Sequence, residues 1–455
     1  MATIVVDPVS RLEGHLRISL EIDAGKVALA RSSGTSFRGI ENIVGGRDPR
    51  DAAHITQRIC GVCPVPHAVL SCAAFEAAAG VTVNDQARLV RNLVQAANFI
   101  ESHLLNFYAF TLPDFVSGLP TTRGWNGAKS PAWRPTLMLG RQPLSDHFLA
   151  SIHIRRACHE IITALAGKMP HPVGIVAGGV TAQIADSTIA DLLALMSRIQ
   201  AFVDGAYADD VAALCEDFPE YEDIGVAGVA FLSYGSFPRH DGTLLLPRGV
   251  LLPGSAAVSS LDVAQIAEST ASSRYGSDNG GHPSVGRTEP ALDRTDAYSW
   301  IKAPRLAGQP CEVGSLARAV VAGQTVGRGV LARHRTRRAE ASQLAAAMTG
   351  WLGELVAGES GLPVFPSVPQ TGAGEGLGEA PRGSLGHWLR IDGALTSHYG
   401  VVTPTTWNAS PRDDQGQPGP METAMQGVSV ANAEDPIEVI RIVHSFDPCL
   451  QCAVH

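Results

Sequence analysis

Charge is scarce in this chain of 455 residues: 17% of them are Asp, Glu, Lys or Arg, against 45% apolar. So little charge leaves apolar surface to be covered, and a large partner interface is expected. There is no basic run, and a formal charge of -9 with a pI near 5.9 excludes the positive footprint of a nucleic-acid binder. No stretch reaches the roughly 18 uninterrupted apolar residues of a membrane span, since VGIVAGGVTAQIA and GVAGVAFL stop short. The opening MATIVVDPVSRLEGH has neither a charged n-region nor an apolar h-region, so no secretory signal is expected there. Eight cysteines are too few for a disulfide scaffold in a chain of this length. There is no Walker motif, and GAGEGLG near 372–378 lacks the G-x-G-x-x-G register, which predicts a flexible loop and no phosphate cradle.

What the chain does have is two C-x-x-C pairs near its two ends, Cys60/Cys63 in RICGVCPVPH and Cys449/Cys452 in DPCLQCAVH, with 385 residues between Cys63 and Cys449. Each pair offers two thiols on one tight turn, and four converging thiolates suit a soft or borderline cation such as zinc, nickel or iron. Zinc ribbons space their two knuckles about 15 to 20 residues apart, and thioredoxin-like pairs occur once, at a strand–helix junction. Neither fits. Any site made by both pairs is tertiary and exists only when the whole fold is assembled. Cys72, Cys158, Cys215 and Cys311 read as ordinary buried thiols.

Leu16, Ile18, Leu20 and Ile22 alternate before Gly25, predicting a strand and turn. The run PVPHAVLSCAAFEAAAG predicts a helix springing from the first cysteine pair. Asn84 is placed to cap a second helix with Leu89, Leu93, Ala97, Ile100, Leu104 and Phe107 at helical spacing, a core stripe. Further helices are expected over 144–167, 187–204, 313–349 and 434–444, with loops at GSDNGGHPSVGRTEP and PRDDQGQPGP.

RICGVCPVPH and DPCLQCAVH resemble the two signature motifs of nickel-iron hydrogenase large subunits. The resemblance continues through RLEGHLR, FRGIE, GKMPHP, SWIKAPR, PCEVGSLAR, APRGSLGHW and PTTWN, in the family's usual order. It implies a mainly α fold with a small β portion, a long helical bundle whose terminal segments meet at the metal site, in one interlocked domain over 1–455. It implies nickel held by Cys60, Cys63, Cys449 and Cys452, bridged through Cys63 and Cys452 to an iron carrying carbon monoxide and two cyanides. The activity implied is reversible heterolytic cleavage of H2 to protons and electrons. By the same resemblance the thiolate of Cys449 takes the proton, Glu13 relays it, and Arg382 stands over the open metal face. His67, Pro381 and Asp447 flank the ligands, with His67 hydrogen-bonded to a bridging sulfur. Glu41, His455 and the carbonyl near Val401 resemble a separate magnesium or iron site.

Too few cysteines remain to wire electrons out, so an iron-sulfur small subunit is the expected partner, in a heterodimer or a dimer of heterodimers. HSFDPCLQCAVH resembles the uptake and sensory groups, which leaves a hydrogen-sensing subunit of low turnover as the alternative. A membrane-associated or periplasmic location is expected, reached through a twin-arginine signal on the partner, with the cytoplasm as the alternative.

Overall fold

The computed structural model describes residues 2–115, 138–139, 142–362 and 365–455. Strands Ala2–Val6, Leu16–Asp23 and Lys26–Gly34 form an antiparallel meander. Leu16, Ile18, Leu20 and Ile22 all point inward, and Gly25 takes the left-handed φ of 75° that the tight turn demands. This is the predicted strand and turn. The last strand also pairs with the C-terminal part: Val27 N donates to the Val428 carbonyl at 3.0 Å, and Gly427 N to the Val27 carbonyl at 2.8 Å.

The core is built on helices, as expected. Helix Pro64–Ala79 starts directly at Cys63 and stops at Gly80, which has a left-handed φ of 64°. Helix Asp85–Leu104 is capped by Asn84, whose side chain accepts from Ala87 N at 2.9 Å. Its predicted stripe is fully buried, each large side chain contributing about 1.5–3 kcal/mol of transfer free energy. Helices Leu144–Ala166 and Val330–Glu354 pack against it, and Asp186–Phe202 packs on those two in turn. The helix expected over 313–349 is in fact two, Ser315–Val321 and Val330–Glu354, parted by a turn in which Gly323 adopts a φ of 78°. The last long helix runs Ile437–Ser445 and hands the chain to Asp447 and Cys449.

Among the described residues the β portion is spread over three three-stranded sheets and several two-stranded ribbons, giving a mixed α/β architecture. One segment corrects the sequence reading. GAGEGLG is no loop: it lies in strand Thr371–Ala380, paired with Gly383–Asp392, which pairs in turn with Leu395–Val402. Its glycines recur with period two and so share one face of the strand. That face lies on helix Pro64–Ala79 so closely that a Cβ at Gly374 would come within 2.2 Å of the Ala74 carbonyl oxygen, and one at Gly376 within 1.9 Å of that of Leu70. The glycines are there for close approach.

Candidate metal centre

The two cysteine pairs meet in the interior. Cys60 ends a short turn, Gln57–Ile59, and Cys63 caps helix Pro64–Ala79 with Pro64 in its first position. Val62 N and Cys63 N aim at the Cys60 sulfur from 3.2 and 3.4 Å, so the first turn is shaped around a sulfur that accepts. The second pair is held at Cys449 N, which donates to Thr405 Oγ1 of PTTWN at 2.9 Å. Leu450 N donates to the Glu13 carbonyl at 2.6 Å, laying RLEGH alongside DPCLQC. Gly14 makes that approach possible: with φ at 87°, a Cβ there would sit 2.8 Å from Gln451 N. Arg38 of FRGIE clamps both cysteine segments, Nη1 donating to the carbonyls of Ile59 at 2.6 Å and Gln451 at 3.2 Å.

The sulfurs of Cys60 and Cys449 lie 3.4 Å apart, those of Cys63 and Cys452 3.2 Å, and those of Cys449 and Cys452 3.1 Å. All four ligand atoms lie within 4.8 Å of one another, and all four residues are buried. That is the scale one cation spans with metal–sulfur bonds of about 2.3 Å. The other four thiols lie outside this cluster; Cys72, Cys158 and Cys311 are buried as expected, whereas Cys215 is only partly buried.

The surroundings are charged in a way four thiols alone do not explain. Arg382 is 3% exposed, and none of its three side-chain nitrogens makes a hydrogen bond. Nη2 lies 3.1 Å from Asp447 Oδ1, an ion pair out of line for hydrogen bonding, and both Asp447 oxygens are likewise without donors. Burial disfavours the Arg382 cation, but Asp447 and the sulfurs of Cys449, Cys63 and Cys60 overrule it and keep the guanidinium charged. Buried donors with no acceptor are costly, and these fit small anionic acceptors held on the cluster. Pro381, also buried, offers its carbonyl to Arg318 at 3.0 Å, fixing the turn from which Arg382 projects.

Glu13 is half-buried beside Cys449. Burial first, and then the charge of Cys60, raise its carboxyl pKa, with Arg382 and Arg38 pulling part of the way back, so it can carry a proton. His67 Nε2 lies 3.7 Å from the Cys452 sulfur, and burial lowers the imidazole to about 3, which makes it a neutral hydrogen-bonding group. The thiols differ. Burial raises Cys60, but hydrogen bonds from Cys449, Cys452 and Cys63 and the Arg382 charge bring it well below its usual value, while Cys452 is raised well above by burial and then by its sulfur neighbours.

Glu41, Val401 and His455 also come together. Val401 N donates to Glu41 Oε1 at 2.7 Å, and His455 Nε2 lies 3.0 Å from the Val401 carbonyl and 3.6 Å from Glu41 Oε1. Burial opposes the Glu41 charge, but Lys302, His455 and Thr288 overcome it and hold its pKa at about 2. A cavity of about 10 Å³ opens here, shared with Lys302 and Glu268, room for about one water.

Comparison with known proteins decides the family. The model described as nickel-dependent hydrogenase matches residues 38–123, 142–330 and 323–455. The chain belongs to the nickel-dependent hydrogenases. A HoxL-like model matches residues 3–37. The chain is 37% identical to the periplasmic [NiFeSe] hydrogenase large subunit of Desulfomicrobium baculatum, covering 99% of this chain and 94% of that one. It is 32% identical to the uptake hydrogenase large subunit of Bradyrhizobium diazoefficiens, at 99% and 95% coverage. The reduced Ni-Fe-Se hydrogenase structure from D. vulgaris Hildenborough superposes with a TM-score of 0.94 at 34% identity, covering 100% of both chains. The alignment with the Bradyrhizobium relative runs over 568 positions, so this 455-residue hydrogenase lacks insertions found there. It is a large, catalytic subunit, an oxidoreductase with a four-cysteine metal site, and the low-turnover sensing alternative is not favoured.

Sequence reasoning missed several residues of this hydrogenase site. Arg318 of PCEVGSLAR donates to Glu340, to Glu379 at 2.7 Å, and to the carbonyls of Ala380 and Pro381, so it holds the strand end that presents Arg382. The motif was visible, but the partners of Arg318 lie 22 and 61 positions away and only the fold names them. His387 and Tyr399, behind His67, were missed for the same reason.

Proposed function

We propose that nickel is held by the sulfurs of Cys60, Cys63, Cys449 and Cys452, and that Cys63 and Cys452 also bind an iron carrying carbon monoxide and two cyanides. The observation that carries this reading is the convergence of four buried sulfurs beneath a guanidinium with no acceptor of its own. When bound, the two metals supply the Lewis acid at which H2 is split unevenly and the store for its electrons. The chain does the rest. The Cys449 sulfur takes the proton, and Glu13, whose backbone runs beside Cys449 and whose carboxyl is eased toward protonation by burial, receives it and releases it outward. Arg382 provides a fixed positive charge that needs no reorganisation, with Asp447 Oδ1 3.1 Å from its Nη2. His67 donates to the Cys452 sulfur and Pro381 fixes the turn.

Glu41, His455 and the Val401 carbonyl supply a carboxylate, an imidazole and a carbonyl, a set that suits magnesium, or iron, completed by water. The described residues form one interlocked body, since strand Lys26–Gly34 pairs with the 427–430 segment and Glu13 with Leu450. Electrons leave through an iron-sulfur small subunit in a heterodimer, because among the described residues the four cysteines outside the cluster do not gather into a second one. No helix of the described residues is long and apolar enough to cross a membrane. With relatives named periplasmic and uptake, we place the enzyme in the periplasm or at the membrane face, oxidising hydrogen.

Single Cys→Ser variants test the ligand assignment. Replacing Cys60, Cys63, Cys449 or Cys452 abolishes nickel binding, while Cys72→Ser and Cys311→Ser retain it; nickel retained at full occupancy without one of the four overturns it.

A further inference from the structure

His444 lies in the last turn of helix Ile437–Ser445, just ahead of Cys449, and is buried. Both of its ring nitrogens face acceptors. Nδ1 is bonded to Oδ2 of Asp114, itself wholly buried, and Nε2 lies 2.9 Å from the Ser10 carbonyl oxygen. The other Asp114 oxygen accepts from Arg11 Nη2, and Arg11 Nη1 donates to the Phe110 carbonyl at 2.8 Å. Arg11 has a φ of 56°, left-handed backbone that a residue with a side chain seldom adopts without support. The segment leading to Glu13 is thus held by its Ser10 carbonyl at His444, by the Arg11 side chain at Asp114, and by the Glu13 carbonyl at Leu450 N, 2.6 Å away.

A neutral imidazole has one N–H and one lone pair, whereas Ser10 presents a carbonyl and Asp114 a carboxylate, neither with a proton to give. With hydrogen on Nδ1 alone, a ring lone pair meets the Ser10 carbonyl oxygen; with hydrogen on Nε2 alone, it meets the carboxylate. Either leaves a buried acceptor without its donor, which is costly. Two ring protons satisfy both partners, and the bond to Asp114 is then charge-assisted. Moving one of them onto Asp114 is opposed: burial disfavours the Asp114 anion, but His444 and Arg11 overcome it and hold the carboxyl below its ordinary range. The other charges nearby have partners of their own. Arg441 donates to the Asp114 main-chain carbonyl and to Tyr221 Oη, each at 2.8 Å, Arg333 pairs with Glu312, and Arg337 bonds the Ser445 carbonyl. His334 is kept neutral by burial and then by Arg337 and Arg333.

We propose that His444 is a positioning residue, an imidazolium that donates from both ring nitrogens and so ties the Ser10 carbonyl, and with it the segment carrying Glu13, to the helix that leads into Cys449. The inference rests on Glu13 being the proton relay, as assigned under the proposed function. The same helix then places the sulfur that gives up the proton and the carboxyl that receives it, and a change at His444 moves one relative to the other.

Neutron diffraction on crystals of the metallated two-subunit enzyme, exchanged into heavy water near neutral pH, counts the protons. Deuterons on both Nδ1 and Nε2 of His444, with none on Asp114, support the proposal; a bare ring nitrogen overturns it. Asp114→Asn checks the accounting, since its amide offers a donor to Nδ1 and an oxygen to Arg11: His444 there carries a deuteron on Nε2 alone, and two deuterons contradict the assignment. His444→Gln reads the function, because its amide replaces one of the two donors by an oxygen. In protein with parental nickel and iron and unchanged carbonyl and cyanide bands, hydrogen–deuterium exchange falls by about 10²-fold, the cost of a misplacement of about 1 Å. Exchange at the parental rate, or loss of nickel from this variant, returns His444 to plain support of the cysteine turn and overturns the positioning role. Parental exchange in Glu13→Gln would sink the relay reading itself, an outcome separate from the deuteron count on His444.

Discussion

Replacing Gly376 by alanine should uncouple the two halves of the site without touching either. The added Cβ would sit 1.9 Å from the Leu70 carbonyl oxygen, where ordinary contact begins near 3.4 Å, so strand and helix must part by about 1.5 Å. The obstruction is backbone and cannot swing aside. Overpacking of this kind costs about 1–3 kcal/mol. The geometric effect is larger, because helix Pro64–Ala79 begins at Cys63 and strand Thr371–Ala380 ends two residues before Arg382. A misplacement of about 1 Å at a reacting centre costs about 10²-fold in rate. Gly350→Ala is the control: its Cβ meets nothing within 4 Å, and alanine within a helix adds about 0.5–1 kcal/mol. Thermal denaturation and hydrogen-oxidation assays on both variants, normalised to nickel, make the comparison. Wild-type melting and turnover for Gly376→Ala would refute the close-packing argument.

Glu13→Gln keeps the backbone contact to Leu450 and hence the metals, but hydrogen–deuterium exchange drops by about 10²–10⁴-fold; unchanged exchange removes Glu13 from the proton path. Arg382→Lys retains nickel and iron but lowers turnover, because an ammonium cannot reproduce a planar fork, and parental rates would return Arg382 to a structural part. Glu340 supplies a pH test. Burial opposes its charge, but Arg318 and His103 hold its pKa at about 2, below the ordinary 4.5. The folded state thus binds this proton less readily than the unfolded one, and the stabilisation, about 3 kcal/mol, is complete above about pH 4.5 and lost as pH falls toward 2. Glu340→Gln, which leaves Arg318 short of a partner, is less stable by about 3–5 kcal/mol at neutral pH. Urea titrations should show that gap narrowing through the acid range, and a gap constant with pH contradicts the ion-pair account.

Much of this site was legible in the sequence because its ligands sit in short motifs. Cys60 and Cys63 fall on the turn that starts a helix, and Pro64 and Gly80 mark that helix's ends in plain text. The alternation of Leu16 to Ile22 and the cap at Asn84 are likewise local. What escaped was set by partners distant in sequence. GAGEGLG read as a loop because it lacks the register of a phosphate cradle, and its period of two acquires meaning only against the helix it must approach. The break between Val321 and Val330 is marked by Gly323, Gly327 and Gly329, a signal that was present but outweighed by the apolar pattern around it. Arg318, His387 and Tyr399 were inside or beside recognised motifs, yet their roles depend on which carbonyl or ring nitrogen the fold brings within 3 Å.

The most direct test of the account is metal analysis joined to infrared spectroscopy on the purified two-subunit enzyme. Nickel and iron in equal amounts, with one carbonyl and two cyanide stretches that shift when hydrogen is admitted, is the predicted result. Zinc alone in the four-cysteine site, with no such bands in active material, would contradict it.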